Sequence, residues 1–181
     1  MNGARDAKAR RAGLALAAAL WLVPATSHAV SEYQVKAAFL LNFGKFVEWP
    51  AQVLPAGELD ICVLGDDPFG SDLDDTLAGR TVGNRSVQAR RIGDPAAARG
   101  CAIVFVSRAG AERVKAVLDS LRGAPVLLVG EQDRFANQGG MINFVEVDQK
   151  IRFEINEAAA RQAGLKISSQ LLKLATIVEA R

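Results

Sequence analysis

Residues 31–50 read SEYQVKAAFLLNFGKFVEWP. Ser31 followed three residues later by Gln34 is a capping box: the hydroxyl accepts from the third helical amide and the glutamine reaches back. A helix is predicted from there to about Val47, stopped near Pro50. On a helical wheel Val35, Ala38, Phe39, Phe43, Phe46 and Trp49 share one broad face, widened by Leu40 and Val47. Lys36, Lys45 and Glu48 flank it. Gly44 costs about 1 kcal/mol inside a helix, which close approach of another element would offset. Core packing explains the main face. It does not explain Leu41, nearly opposite, or Asn42, inside the apolar sector. A second surface at Leu41 and Asn42, used for self-association or a partner, is therefore expected.

Beyond Pro50 the apolar runs shorten. LDICVLG (59–65), CAIVFVS (101–107) and PVLLVG (125–130) are continuous apolar runs ended by turns, the pattern of strands buried on both faces. A short helix is predicted over Ser71–Ala78. Gly83-Asn84 between two β-type runs is a two-residue hairpin signal, with the strand continuing through Val87–Ile92. The segment AGAERVKAVLDSLRG places Val114, Val117, Leu118 and Leu121 on one helical stripe, with Gly123 as its stop. MINFVEV and KIRFEIN alternate around Asp148-Gln149 and read as a hairpin. A short Ala-rich helix precedes Gly164. A final helix is predicted over about Ser168–Glu179, with Leu171, Leu174 and Val178 inward. Strands alternating with helices predict a single α/β domain over residues 30–181, a layered sandwich. Its sheet is mixed and mostly parallel, flanked by helices, with a C-terminal hairpin plus helix.

The first residues change the picture of charge. Arg5, Lys8, Arg10 and Arg11 precede the uncharged run AGLALAAALWLV and then PATSHA, the order of an export signal, with cleavage expected after Ala29. The run is too short to span a membrane, which takes about 20 residues. The whole chain has 22 Lys+Arg and 20 Asp+Glu. Residues 1–29 hold four of the former and one of the latter, so the remainder carries 18 against 19, a formal charge of −1. That balance offers no electrostatic footprint for nucleic acid. His28, the only histidine of the chain, leaves with the signal. Ser-His and Cys-His catalysis and His-built zinc sites leave with it. Cys62 and Cys101 remain; in an oxidising compartment a disulfide is the first reading, two buried thiols the other.

Few residues suggest chemistry. Asp66 and Asp67 stand where the first buried strand ends, the place where ligands gather in open α/β sheets. With Glu131 they are the candidate ligand-binding residues; the competing reading is a turn, since Asp caps helices and Asp-Pro starts turns. The loop GEQDRFANQGG is neither a Walker A loop nor a dinucleotide fingerprint, and no Gly-x-Ser-x-Gly elbow is present. Glu154 should face solvent. Lys166, Ser168 and Gln170 gather at a helix start, where capping competes with binding of an acidic partner. No enzyme constellation, cofactor motif or metal-binding set is found.

Taken in order, EYQVKAAFLLNFGKFVEWP, ICVLGDDPFG, CAIVFVS, GGMINFV, RFEIN and AGLKISSQLLKLA closely resemble the YfiR-like family of periplasmic proteins, over about Glu32 to Ile177. The resemblance implies an α/β regulator without catalytic activity that forms homodimers. Such a protein binds the periplasmic sensor region of an inner-membrane diguanylate cyclase and represses it, lowering cyclic-di-GMP and biofilm formation; some relatives serve a sensor kinase. It fits a disulfide between Cys62 and Cys101. Some members carry a second cysteine pair, where this chain has Ala136 and Asn143. For such a regulator the apolar terminal helices and the RFEIN…KISSQ surface would supply the docking and dimer faces, so Leu41, Asn42, Glu154, Asn156, Lys166, Ser168 and Gln170 are the expected partner or dimer residues. The alternative is a periplasmic small-molecule-binding module.

Overall fold

The apolar runs lie side by side as strands. In chain order these are β1 (Val47–Glu48), β2 (Glu58–Leu64), β3 (Thr81–Val82), β4 (Arg85–Ile92), β5 (Ile103–Val106), β6 (Leu127–Gly130), β7 (Ile142–Val147), β8 (Lys150–Ile155), β9 (Lys166–Ile167) and β10 (Thr176–Ile177). The helices are α1 (Glu32–Phe46), α2 (Asp72–Leu77), α3 (Ala111–Ser120), α4 (Glu157–Gln162) and α5 (Ser169–Leu172). The structure is a computed structural model that describes residues 30–179 except 52, 55, 109 and 110, and not the side chains of 111–113. The expected export segment, its expected cleavage after Ala29 and His28 lie outside the described residues.

One sheet has eight strands in the order β10-β8-β7-β6-β5-β2-β4-β3, and β1 pairs with β9 apart from it. From β4 through β7 every neighbouring pair is parallel. The hairpin partner β8 is antiparallel to β7, β10 is parallel to β8, and β3 is antiparallel to β4. The fold is the predicted mixed, mostly parallel α/β sheet. Asp148 and Gln149 both take positive φ, 50° and 58°, as the tight turn of a two-residue hairpin demands.

Helix α1 lies across one face. Its capping box forms as predicted: Ser31 Oγ accepts from the Gln34 amide and Gln34 reaches back to the Ser31 amide. Its N-terminus is tied to that of α2, since Ser31 Oγ donates to Asp72 at 2.8 Å and Gln34 Nε2 at 3.1 Å. Phe39 and Phe43 pack on Phe144 and Phe153 of the hairpin, with ring centroids 5.3 to 6.0 Å apart. The other flank of the helix rests on β2 and β3: a Cβ on Gly44 would stand 3.5 Å from Val82 and 3.8 Å from Leu59. Leu59 faces α1, so alternation along β2 puts Ile61 and Val63 on that side and Cys62 on the opposite side. There Cys62 forms a disulfide with Cys101, Cα to Cα 6.1 Å, beside the 3-10 turn Pro95–Gly100. Both sulfur-bearing residues are buried.

Three expectations are corrected. The wheel face of α1 is rotated: Lys36, Ala37, Leu40, Leu41, Phe43 and Gly44 are the buried set, and Ala38 and Asn42 are exposed. A helix wedged between a hairpin and two further strands is buried on more of its circumference than one apolar stripe describes. Leu41, at 7 % exposure, is therefore core and not a second surface. The long final helix is also absent. After one capped turn, α5, the chain leaves helical geometry and β-branched Thr176-Ile177 adds to β8, leaving Leu174 70 % exposed. The short ladder of Val47 and Glu48 with Ile167 and Lys166 lacks a periodic signal because each strand is two residues long.

Candidate functional site

Strand β6 ends at Gly130, and the next residue, Glu131, is buried beneath α1. Helix α1 brings two side chains to it. Lys36, only 2 % exposed, forms ion pairs with Glu131 and with Glu32 one turn earlier. The Tyr33 hydroxyl donates to Glu131 Oε1 at 3.3 Å. The Lys36 ammonium also lies 4.6 Å from the centre of the Tyr33 ring and 5.9 Å from that of Phe144, within the range where a ring face attracts a cation. Burial opposes the charge on Lys36, but hydrogen bonds from its ammonium to Glu131 and Glu32 outweigh it and raise the pKa. Burial, and then the negative charge of Glu131, raise that of Tyr33. The helical wheel puts Lys36 on the flank of the apolar face, whereas the structure buries it. A lysine one turn after Glu32 on an apolar helix was the available signal, but its second partner lies 95 residues away.

An open cleft begins at the same carboxylate. β7 runs to Val147, yet it pairs with β6 only at Ile142 and Asn143. Past those residues the two chains part, and the loop after β6 faces the β7–β8 hairpin across a cleft of about 560 Å³. Arg108, Glu131, Gln132, Arg134, Asn143 and Glu154 are among its lining residues. The loop is held by Gln132, whose Nε2 donates to the carbonyls of Val106 and Ser107 at 3.0 and 2.6 Å. It is also held by Phe135, which is fully buried. A Cβ on Gly140 would come within 2.3 Å of the Phe135 ring, and one on Gly130 within 2.6 Å; both glycines are there to admit that ring. Arg134 sits at φ 61°. Asn143, 2 % exposed, donates through Nδ2 to Glu154 Oε2 at 3.2 Å, and its Oδ1 is buried without a donor.

The other expected residues are distributed around the molecule. Asp67 is a turn residue: Oδ1 accepts from the Phe69 amide at 2.8 Å and Oδ2 pairs with Arg91 at 2.8 Å. Asp66 is exposed beside it, and neither lines the cleft. Among the described residues no group of three or more His, Cys, Asp or Glu side chains converges as a metal site. Asn156 is 0 % exposed; its Oδ1 caps α4 through the Ala159 amide and its Nδ2 donates to the Ala136 carbonyl. It is closed to a partner in this conformation, as Leu41 is. Glu154 is half-buried beside Asn143. Lys166 and Gln170 are exposed and Ser168 is half-exposed. The last accepts from the Leu171 amide at 3.2 Å and donates its own amide to the Phe46 carbonyl at 2.9 Å. Asn42 is exposed on α1, one turn before the helix ends at Phe46. Asn143, Arg134 and Gln132 were missed as cleft residues because the parting of β6 and β7 has no sequence signature.

A profile of the YfiR/HmsC-like family matches residues 33–176. No curated protein matches the chain. Two solved structures share the fold. One is described as the ABC domain in complex with L-Trp from Streptococcus pneumonia (TM-score 0.53, 14 % identity, covering 78 % of this chain and 60 % of that one). The other is a conserved domain protein from Vibrio cholerae (TM-score 0.53, 14 % identity, 81 % and 60 %). The chain thus spans about 60 % of the length of these structures, and at such identity the likeness is one of fold alone.

Proposed function

The chain belongs to the YfiR/HmsC-like family, and from that premise we propose that it is a periplasmic regulator without catalytic activity. Residues 1–29 direct export and are removed after Ala29. The folded domain then binds the periplasmic sensor region of an inner-membrane signalling enzyme, a diguanylate cyclase, and holds it inactive. Cyclic-di-GMP and biofilm formation fall as a result. The family match over nearly the whole folded chain carries this reading. It is supported by a disulfide suited to an oxidising compartment and by a fold whose described helices are too short or too polar to cross a membrane. The exposed candidates for the docking or dimer surface are Asn42, Lys166 and Gln170, with half-buried Ser168 in the same segment as the last two; half-buried Glu154 lies apart, in the cleft beside Asn143.

Affinity capture of the tagged, disulfide-bonded protein from solubilised membranes tests the reading. Recovery of a protein with a periplasmic sensor region and a cytoplasmic cyclase domain is expected, and deletion of the gene should raise cyclic-di-GMP. Capture of a sensor kinase would keep the mechanism and change the output. Recovery of no membrane protein, with cyclic-di-GMP unchanged on deletion, would overturn it. A second reading, a small-molecule-binding module, is favoured by the open cleft at Glu131. Asp66 and Asp67, outside that cleft, are not needed for it.

A further inference from the structure

We propose that the cleft between the loop after β6 and the β7–β8 hairpin binds a small organic cation bearing a primary ammonium group. Its N–H donors would meet Asn143 Oδ1 and the Glu154 carboxylate. The orientation of the Asn143 amide follows from its neighbour. Nδ2 faces Glu154 Oε2, and reversing the amide would set one acceptor against another. The orphan atom is therefore an acceptor, and only a donor satisfies it.

The remaining groups of the cleft narrow the class. Gln132 is spent on the Val106 and Ser107 carbonyls. Glu131 is neutralised by Lys36. That leaves Asp133, Glu146 and Glu154 against Arg108 and Arg134 among the charged lining residues, an acid excess that favours a cation. A bare divalent ion lacks its ligand set among the described residues, because such ions want six or more oxygens. An ammonium group needs only two or three acceptors, and offers three donors. The volume of about 560 Å³ falls in the range that holds a small organic molecule.

Calorimetric titration of the disulfide-bonded protein with putrescine and with ethanolamine tests this, with inorganic phosphate as the anionic probe. Saturable one-site binding of an amine is expected, weakened about tenfold or more by Glu154→Gln and by Asn143→Leu. Asn143→Leu removes the orphan acceptor together with the Nδ2 bond to half-buried Glu154, two effects that oppose each other, so its melting temperature should change little. If that variant fails to fold, Glu154→Gln on its half-buried side chain carries the test. Three outcomes overturn the proposal. The first is no amine binding at millimolar concentration, which leaves Oδ1 unpaired. The second is phosphate binding where amines do not, which assigns the cleft to Arg108 and Arg134. The third is equal amine binding by the wild type and both variants, which moves the site elsewhere. The measurement needs no membrane partner, so it stands or falls apart from the proposed repression.

Discussion

Lys36 is where a single side chain carries the most consequence. Removing one partner of a buried ion pair leaves the other charge uncompensated, which typically costs 3–5 kcal/mol. Lys36→Met should therefore destabilise the protein by about 3 kcal/mol or more. The double variant Lys36→Met, Glu131→Leu should recover most of the loss, because an apolar pair of similar volume often matches a buried ion pair. Urea melts of the two variants decide this, and equal destabilisation in both would place the role of the pair elsewhere. The pH dependence follows the same residues. Lys36 and Tyr33 are raised from ordinary values of 10.5 and 10.0. The unfolded chain then releases these protons first, so stability falls as pH rises. Their contribution is intact below about pH 10 and is lost as pH climbs through the folded values. Urea midpoints measured from about pH 8 to about pH 11 should decline, and less steeply in Lys36→Met.

At the scale of elements, α1 and the hairpin show how local rules meet tertiary demands. Gly44 lies inside a helix, and the Cβ it lacks would meet Val82 at 3.5 Å and Leu59 at 3.8 Å. Those are ordinary contacts, so Gly44→Ala should stabilise by up to about 1 kcal/mol, the helix penalty of glycine. A lower urea midpoint would mean that β2 and β3 need the space. Gly140 is the opposite case. A Cβ there would come within 2.3 Å of the Phe135 ring, so Gly140→Ala should destabilise by about 1–3 kcal/mol, as overpacking does. In the hairpin turn Gln149 holds φ 58°, a left-handed conformation costly for a side chain. Gln149→Gly should relieve it by about 0.5–1 kcal/mol, read as a higher melting temperature.

The whole molecule is a mixed, mostly parallel sheet clamped at two points far apart in sequence. The disulfide closes a separation of 39 residues, which on the chain-entropy model stabilises by roughly 4 kcal/mol. Replacing both cysteines by alanine should lower stability by about that amount, measured by denaturant melts under oxidising conditions. The second clamp is Lys36 with Glu131, which joins the first helix to the end of β6. The cleft lies beside this clamp, where β7 leaves β6, so cleft and helix share Glu131.

Local pattern determined a good deal by itself. The continuous apolar runs became β2, β5 and β6, because a strand buried on both faces needs apolar residues at every position. The capping box at Ser31, the Asp148-Gln149 turn and the Gly123 stop were set by near neighbours, so a few residues of context sufficed. The block order from Glu32 to Ile177 identified the family. Long-range packing decided the rest. Leu41 became core because α1 is enclosed by elements distant in sequence. The final helix gave way to β10 because the edge of β8 was open to Thr176 and Ile177. Asn156 was drawn inside to cap α4. Lys36 met Glu131, and Asn143 was left with an unpaired acceptor, through strand ends that part in space. No spacing along the chain records where two strands stop pairing, so the clamp and its cleft belong to the tertiary structure alone.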